Sequence, residues 1–110
     1  SAIIPCMADV MIDIEGLATG PDATILTIAA QCFDPLTRGY YSQHYYARIT
    51  LESQEDRQIE DGTIEWWATQ KEAQAEAFAE EGRIPLQQAL QELRRTQQAL
   101  RKLAQERQGV

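Results

Sequence analysis

Asp13 and Glu15 stand two residues apart in the stretch VMIDIEGL, residues 10–17. The interleaved Val10, Ile12 and Ile14 give this run the period-two pattern of a strand, with β-branched residues on one face. On a strand, residues two apart leave the same face, so the two carboxylates project together. Carboxylates that close repel unless a cation lies between them or one stays protonated. Their hard oxygens select Mg²⁺ or Mn²⁺, ions that can activate a water and stabilise a leaving oxygen in phosphodiester hydrolysis. A solvated acidic strand end would also account for two such residues.

The elements around the pair can be read in order. Residues 16–22, GLATGPD, form a turn rich in Gly and Pro. ATILTIAAQCF, residues 23–33, is almost continuously apolar and reads as a central strand buried on both faces, closed by Asp34-Pro35. LTRGYYSQ fits a hairpin connection, and HYYARITL, residues 44–51, alternates as a third strand. The single histidine, His44, falls on that strand at a surface or rim position. The fold class expected is therefore α+β, a three-stranded antiparallel meander followed by helices. The polar run 52–61 is a loop or short helical turn, Thr63 can cap IEWWATQ, and KEAQAEAFAEEG is helical, closed by Gly82. Val10, Ile12 and Ile14 are expected to be held by the core.

A long helix over residues 84–107 follows, with Pro85 in its first turn. Leu86, Leu93 and Leu100 recur every seven residues, with Ala89, Thr96 and Leu103 offset by three. This is a heptad-like stripe weakened by Ala and Thr.

The net charge of −7 is unevenly placed. Residues 1–82 carry 4 Lys/Arg against 15 Asp/Glu, whereas residues 83–110 carry 6 against 2. The acidic body is ill suited to sequence-independent nucleic-acid binding without a cation to mediate it, because such binding rests on Lys and Arg meeting phosphates. The basic helix can meet phosphates or the acidic body. No stretch approaches the ~20 apolar residues of a membrane span. Residues 1–6 lack a basic n-region and read as an extension ahead of Met7, with 7–110 a single domain. Cys6 and Cys32 form no CxxC pair and read as free thiols of a reducing, cytoplasmic setting.

VMIDIEGLATGPDATILTIAAQCFDP resembles the first motif region of the DEDD, or DnaQ-like, 3′→5′ exonucleases of ribonuclease H-like fold, particularly their phage and prophage exoribonuclease-like branch. The resemblance continues through YYARITLES and QIEDGTIEWWATQKEAQAEAF to PLQQALQEL, covering residues 7 to about 93. It implies the N-terminal half of that fold and a metal-dependent activity on the single-stranded 3′ end of DNA or RNA, with Mg²⁺ or Mn²⁺ as cofactor. Asp13 and Glu15 match the family's first two metal ligands. Gly16 and Leu17 match the turn against the terminal nucleotide, its backbone near the sugar and an apolar side chain at the base. Trp66 and Trp67 match the WW helix, where one ring can pack in the core and the other border the substrate. The family's third carboxylate, its fourth Asp and its His or Tyr base have no counterpart, since no Asp follows Asp61. Glu60 and Glu65 are carboxylates near the WW block without a family role. The expectation is a truncated domain, inactive or weakly active alone and completed by assembly. The alternative is a non-catalytic oligomerising module built on the final helix. Both readings predict a homodimer, through that helix, the open edge of the first strand, or both.

Overall fold

The computed structural model describes residues 9–36 and 39–108. Three strands, β1 (Asp9–Gly16), β2 (Ile25–Phe33) and β3 (Tyr40–Arg48), form one antiparallel sheet in the order β1-β2-β3. A 3₁₀ turn (Glu52–Gln54) leads to helices α1 (Asp61–Thr69), α2 (Lys71–Ala77) and α3 (Leu86–Gln108). This is the expected meander followed by helices, with a long C-terminal helix. Among the described residues, no helix is long and apolar enough to cross a membrane. Cys6 and residues 1–6 lie outside the described residues, whereas Cys32 is a buried free thiol, its pKa pushed up by burial.

Register fixes what each face of the sheet carries. Asp13 pairs with Ala29 and Ala29 with Tyr46; Glu15 pairs with Thr27 and Thr27 with Arg48. Since side chains alternate, these residues share one face, and Ile14, Ile28 and Ala47 share the other. On that second face Ala89 and Leu93 of α3 close a core with Ile28, Ala30, Ala47 and Ile49. A smaller core beneath α1 and α2 holds Leu17, Leu26, Trp67 and Ala77.

The pairing slips between Glu15 and Gly16: Glu15 faces Thr27 but Gly16 faces Ile25, so Leu26 is an extra residue in β2. Such a bulge re-aims the chain locally. It gives Leu26 to the α1–α2 core while Ile25 packs with the α3 core. Gln54 ties the start of β2 to the 3₁₀ turn. Its buried amide accepts from the Ile25 N–H at 2.7 Å and donates to the Ile25 carbonyl at 2.8 Å.

Several boundaries differ from the sequence reading. β3 starts at Tyr40, four residues earlier, because the hairpin is tighter than supposed. Asp34 N–H donates to the Gly39 carbonyl at 2.9 Å, and the Asp34 carboxylate accepts from Leu36 N–H at 2.9 Å. Thr63 does not cap α1, which begins at Asp61, with Glu60 before it. Gly82 does not cap α2, which ends at Ala77; its φ of 71° serves the turn leading to α3. β2 is central, yet its acidic face is covered only where α1 and α2 reach: Thr27 is buried, Ala29 and Gln31 only partly. Nor does the core hold all of Val10-Ile12-Ile14. Val10 packs against it, but Ile12 and Ile14 are 44% and 51% exposed, because α3 lies over β2 and β3.

Candidate active site

Asp13 and Glu15 line a cleft of about 170 Å³ on the sheet's acidic face, as their spacing requires. Ala29 lies between β1 and β3 as its floor, and Thr27 and Trp67 close one end. Tyr46 stands across the floor from Asp13, and α2 supplies Ala73, Glu76 and Ala77. Burial, with the Asp13 carboxylate beside it, raises the pKa of Glu15. Two carboxylates held together in this way repel each other.

The turn after Glu15 is fixed from both sides. A Cβ on Gly16 would sit 3.1 Å from the Thr24 carbonyl oxygen, so glycine permits this close approach. Leu17 N–H donates to that same oxygen at 2.9 Å. From α1, the Trp67 indole N–H donates to the Gly16 carbonyl at 2.9 Å. Trp67 is 2% exposed and meets Trp66 and Phe78 edge-on, at centroid distances of 5.0 and 5.6 Å. Leu17 is likewise 2% exposed and turned into the core against Trp67. The apolar side chain assigned by resemblance to the base is therefore packed inside here, because the bulge and Trp67 draw the turn inward. The hydrogen bonds that Gly16 and Leu17 make in this turn are backbone ones.

Trp66 is half-exposed and borders a second groove of about 560 Å³, shared by Glu15, Gly16, Thr19, Glu60 and Trp67. The Glu60 carboxylate accepts from Thr19 N–H at 3.0 Å and from Thr19 Oγ at 3.3 Å, pinning the turn to the start of α1. Glu15 and Trp67 border both the cleft and this groove. Glu65 lines neither cavity, and His44 lies further along β3 in a shallow groove with Met11, Asp13 and Gln31.

Two cleft residues were missed in the sequence, Glu76 and Tyr46. Ala73, Glu76 and Ala77 follow i, i+3, i+4 spacing and so share the face of α2 that borders the cleft, where Ala77 is buried. Burial, with the Glu76 carboxylate beside it, pushes the Tyr46 phenol up, opposed by Arg48. Arg48 fastens this wall: its Nε donates to the Glu76 carbonyl at 3.0 Å, and its guanidinium lies 5.7 Å from the Tyr46 ring centre. Arg83 braces the same region from below, donating to the carbonyls of Leu26, Ile49 and Ala77. Glu76 still does not complete a ligand set. Among the described residues, no three His, Cys, Asp or Glu side chains are grouped to hold a metal ion.

Residues 8–105 match the Rv2179c-like family, described as a 3′-5′ exoribonuclease Rv2179c-like domain. The chain belongs to that family. Searches of curated proteins and of solved structures returned no match. The family match takes in all three strands and runs far into α3, beyond residue 93 where the motifs end. Most of the basic helix is thus part of the Rv2179c-like domain.

Proposed function

We propose that this chain is a divalent-cation-dependent 3′→5′ exonuclease-type domain that hydrolyses phosphodiester bonds at a single-stranded 3′ end, weakly or not at all as a lone copy. RNA is the favoured substrate, from the family's description. One observation carries the reading: Asp13 and Glu15 enter a single cleft, and the groove beside it is rimmed by an exposed tryptophan. Mg²⁺ or Mn²⁺ held by Asp13 and Glu15 would supply the activation of water and the charge stabilisation that phosphodiester hydrolysis requires. The chain's own residues do the rest. Trp66 offers a stacking face to the last base. The Gly16 and Leu17 backbone shapes the turn where the terminal sugar rests. Trp67 and Thr27 close one end of the cleft.

A second reading is favoured by α3. Ala89 and Leu93 are buried, but Arg94, Arg95, Arg101 and Lys102 are exposed on the helix side opposite them. An amphipathic helix of this kind suits a non-catalytic, oligomerising module, and under either reading the chain works as a homodimer in the reducing, cytoplasmic setting that its thiols fit. A 5′-labelled RNA oligonucleotide incubated with the chain and Mn²⁺ separates the two. Stepwise shortening that is lost in Asp13→Asn supports the nuclease; no shortening at high protein concentration leaves the module.

A further inference from the structure

We propose that Glu60 accepts a hydrogen bond from the ribose 2′-hydroxyl of the terminal nucleotide, so that the groove beside the cleft selects an RNA 3′ end over a DNA one. This selection rests on the nuclease reading above and adds the residue that chooses between the two substrates.

Glu60 stands at the N-cap position of α1, yet its side chain makes no cap bond to the helix. Ser, Thr, Asp and Asn suit that position, because a short side chain reaches the free N–H groups of the first turn. The longer Glu60 extends instead to the turn after β1, where its Oε1 accepts from both the N–H and the hydroxyl of Thr19. Oε2 accepts no bond among the described residues, and the residue is exposed along the groove.

Much of the polar backbone of that turn is already engaged. Leu17 N–H donates to the Thr24 carbonyl, the Gly16 carbonyl accepts from Trp67, and the Leu17 carbonyl accepts from Glu60 N–H at 2.8 Å. The last of these bonds sets Glu60 directly beside the turn where the terminal sugar rests. A sugar hydroxyl arriving there meets Oε2 as an open acceptor.

Charge decides which part of a nucleotide can lie against Glu60. Both Glu15 and Glu60 line the groove, and among the described residues no Lys, Arg or His does. Such a wall repels a phosphate, whereas a neutral hydroxyl donates to a carboxylate in a strong, charge-assisted bond. Trp66 supplies the matching surface for the base, with a half-exposed ring on the same groove. It lies six residues beyond Glu60, about 9 Å along the helix axis, a span that one nucleoside bridges. With the base on Trp66 and the ribose on Glu60, the phosphate points to the cleft that Glu15 also lines. At this contact only the 2′-hydroxyl separates RNA from DNA. A carboxylate holding a ribose 2′-hydroxyl is also how dinucleotide-binding folds grip their cofactor.

Fluorescence anisotropy tests this, with the full chain and 5′-labelled single-stranded oligonucleotides that differ only in the last sugar. The groove contacts need no cation, so binding is measured in EDTA, where hydrolysis cannot intervene. A ribose end should bind about tenfold tighter than a 2′-deoxyribose end. A 2′-fluoro end keeps a ribose-like pucker without a proton to donate, and should bind as the deoxy end does. Glu60→Ala should bring all three ends to one affinity. Glu60→Gln, which still accepts from Thr19, should lower the ratio severalfold. Trp66→Ala should weaken the three alike and leave the ratio intact. A wild-type ratio in either Glu60 variant overturns the proposal even where both affinities fall, since Glu60 then only pins the turn. Equal binding of ribose and deoxyribose ends by the wild type, a 2′-fluoro end as tight as ribose, or no binding at high protein concentration overturns it too. A ribose preference that depends on Glu60, in a chain that never shortens RNA, keeps this recognition and removes the nuclease reading. Equal shortening of RNA and DNA does the reverse.

Discussion

The indole N–H of Trp67 holds the carbonyl of Gly16 at 2.9 Å, joining helix α1 to the residue that follows Glu15. The orientation of the acid pair is therefore set by a side chain more than fifty residues away in sequence. Trp67→Phe keeps most of the packing but leaves the Gly16 carbonyl without this donor. We expect a loss of about 1–2 kcal/mol in stability by urea unfolding. Mn²⁺ affinity by calorimetry should fall severalfold in the same variant, because the strand end is released.

Trp66 should behave differently. Its ring is half-exposed but meets Trp67 edge-on, so Trp66→Ala should cost about 1 kcal/mol in stability. Under the stacking role it should weaken oligonucleotide binding by about 1–3 kcal/mol, measured by fluorescence anisotropy. Equal RNA affinity in the two proteins would remove Trp66 from the site.

Glu15 gives a pH signature. Burial and Asp13 raise its folded pKa, so its ionised form is disfavoured by folding. Its contribution to stability is full below the ordinary carboxylate range and is lost as pH rises through the raised value. Without metal, Glu15→Gln should therefore be more stable than wild type at neutral pH, by on the order of 0.5 kcal/mol. That advantage should vanish as pH falls below the carboxylate range. Added Mn²⁺ should reverse the order at neutral pH by stabilising the wild type alone. Thermal melts across pH, with and without Mn²⁺, check all three statements.

Arg83 is a structural clamp whose loss should be costly. It donates to three carbonyls, on β2, after β3 and at the end of α2. Arg83→Met should destabilise the fold by about 2–4 kcal/mol, since those acceptors lose their donors. Arg83→Lys should recover only a minor part, because an ammonium cannot reproduce the planar fork. Urea denaturation of the three proteins measures this.

What the sequence made legible were features that depend on short-range periodicity. Alternation in VMIDIEGL placed Asp13 and Glu15 on one face, and the breaks at GLATGPD and Asp34-Pro35 bounded the strands. The cleft itself was not legible, because it depends on long-range packing. The extra residue Leu26 left no mark in an unbroken apolar run, yet it decides which core receives Leu26 and Ile25. In the sequence Glu76 is one more acid of an Ala/Glu-rich helix; only the fold sets it at the cleft with Ala73 and Ala77. Ile12 and Ile14 read as core because alternation reveals a face but not whether anything covers it. The start of α1 was misplaced because the Glu60 carboxylate is engaged by Thr19, a partner distant in sequence.

Acidic and basic side chains are unevenly divided between the two sides of the sheet. Asp13 and Glu15 lie on one side, while the exposed Arg94, Arg95, Arg101 and Lys102 belong to the helix on the other. The molecule is thus an electric dipole directed through the sheet. A polyanion arriving from solution is turned by that field toward the helix and away from the cleft. Under the proposed nuclease reading, a 3′ end would reach the carboxylates around an edge, against that long-range force. Added salt, by shortening the range of that force, should speed capture at the cleft where it slows capture by most nucleic-acid-binding surfaces.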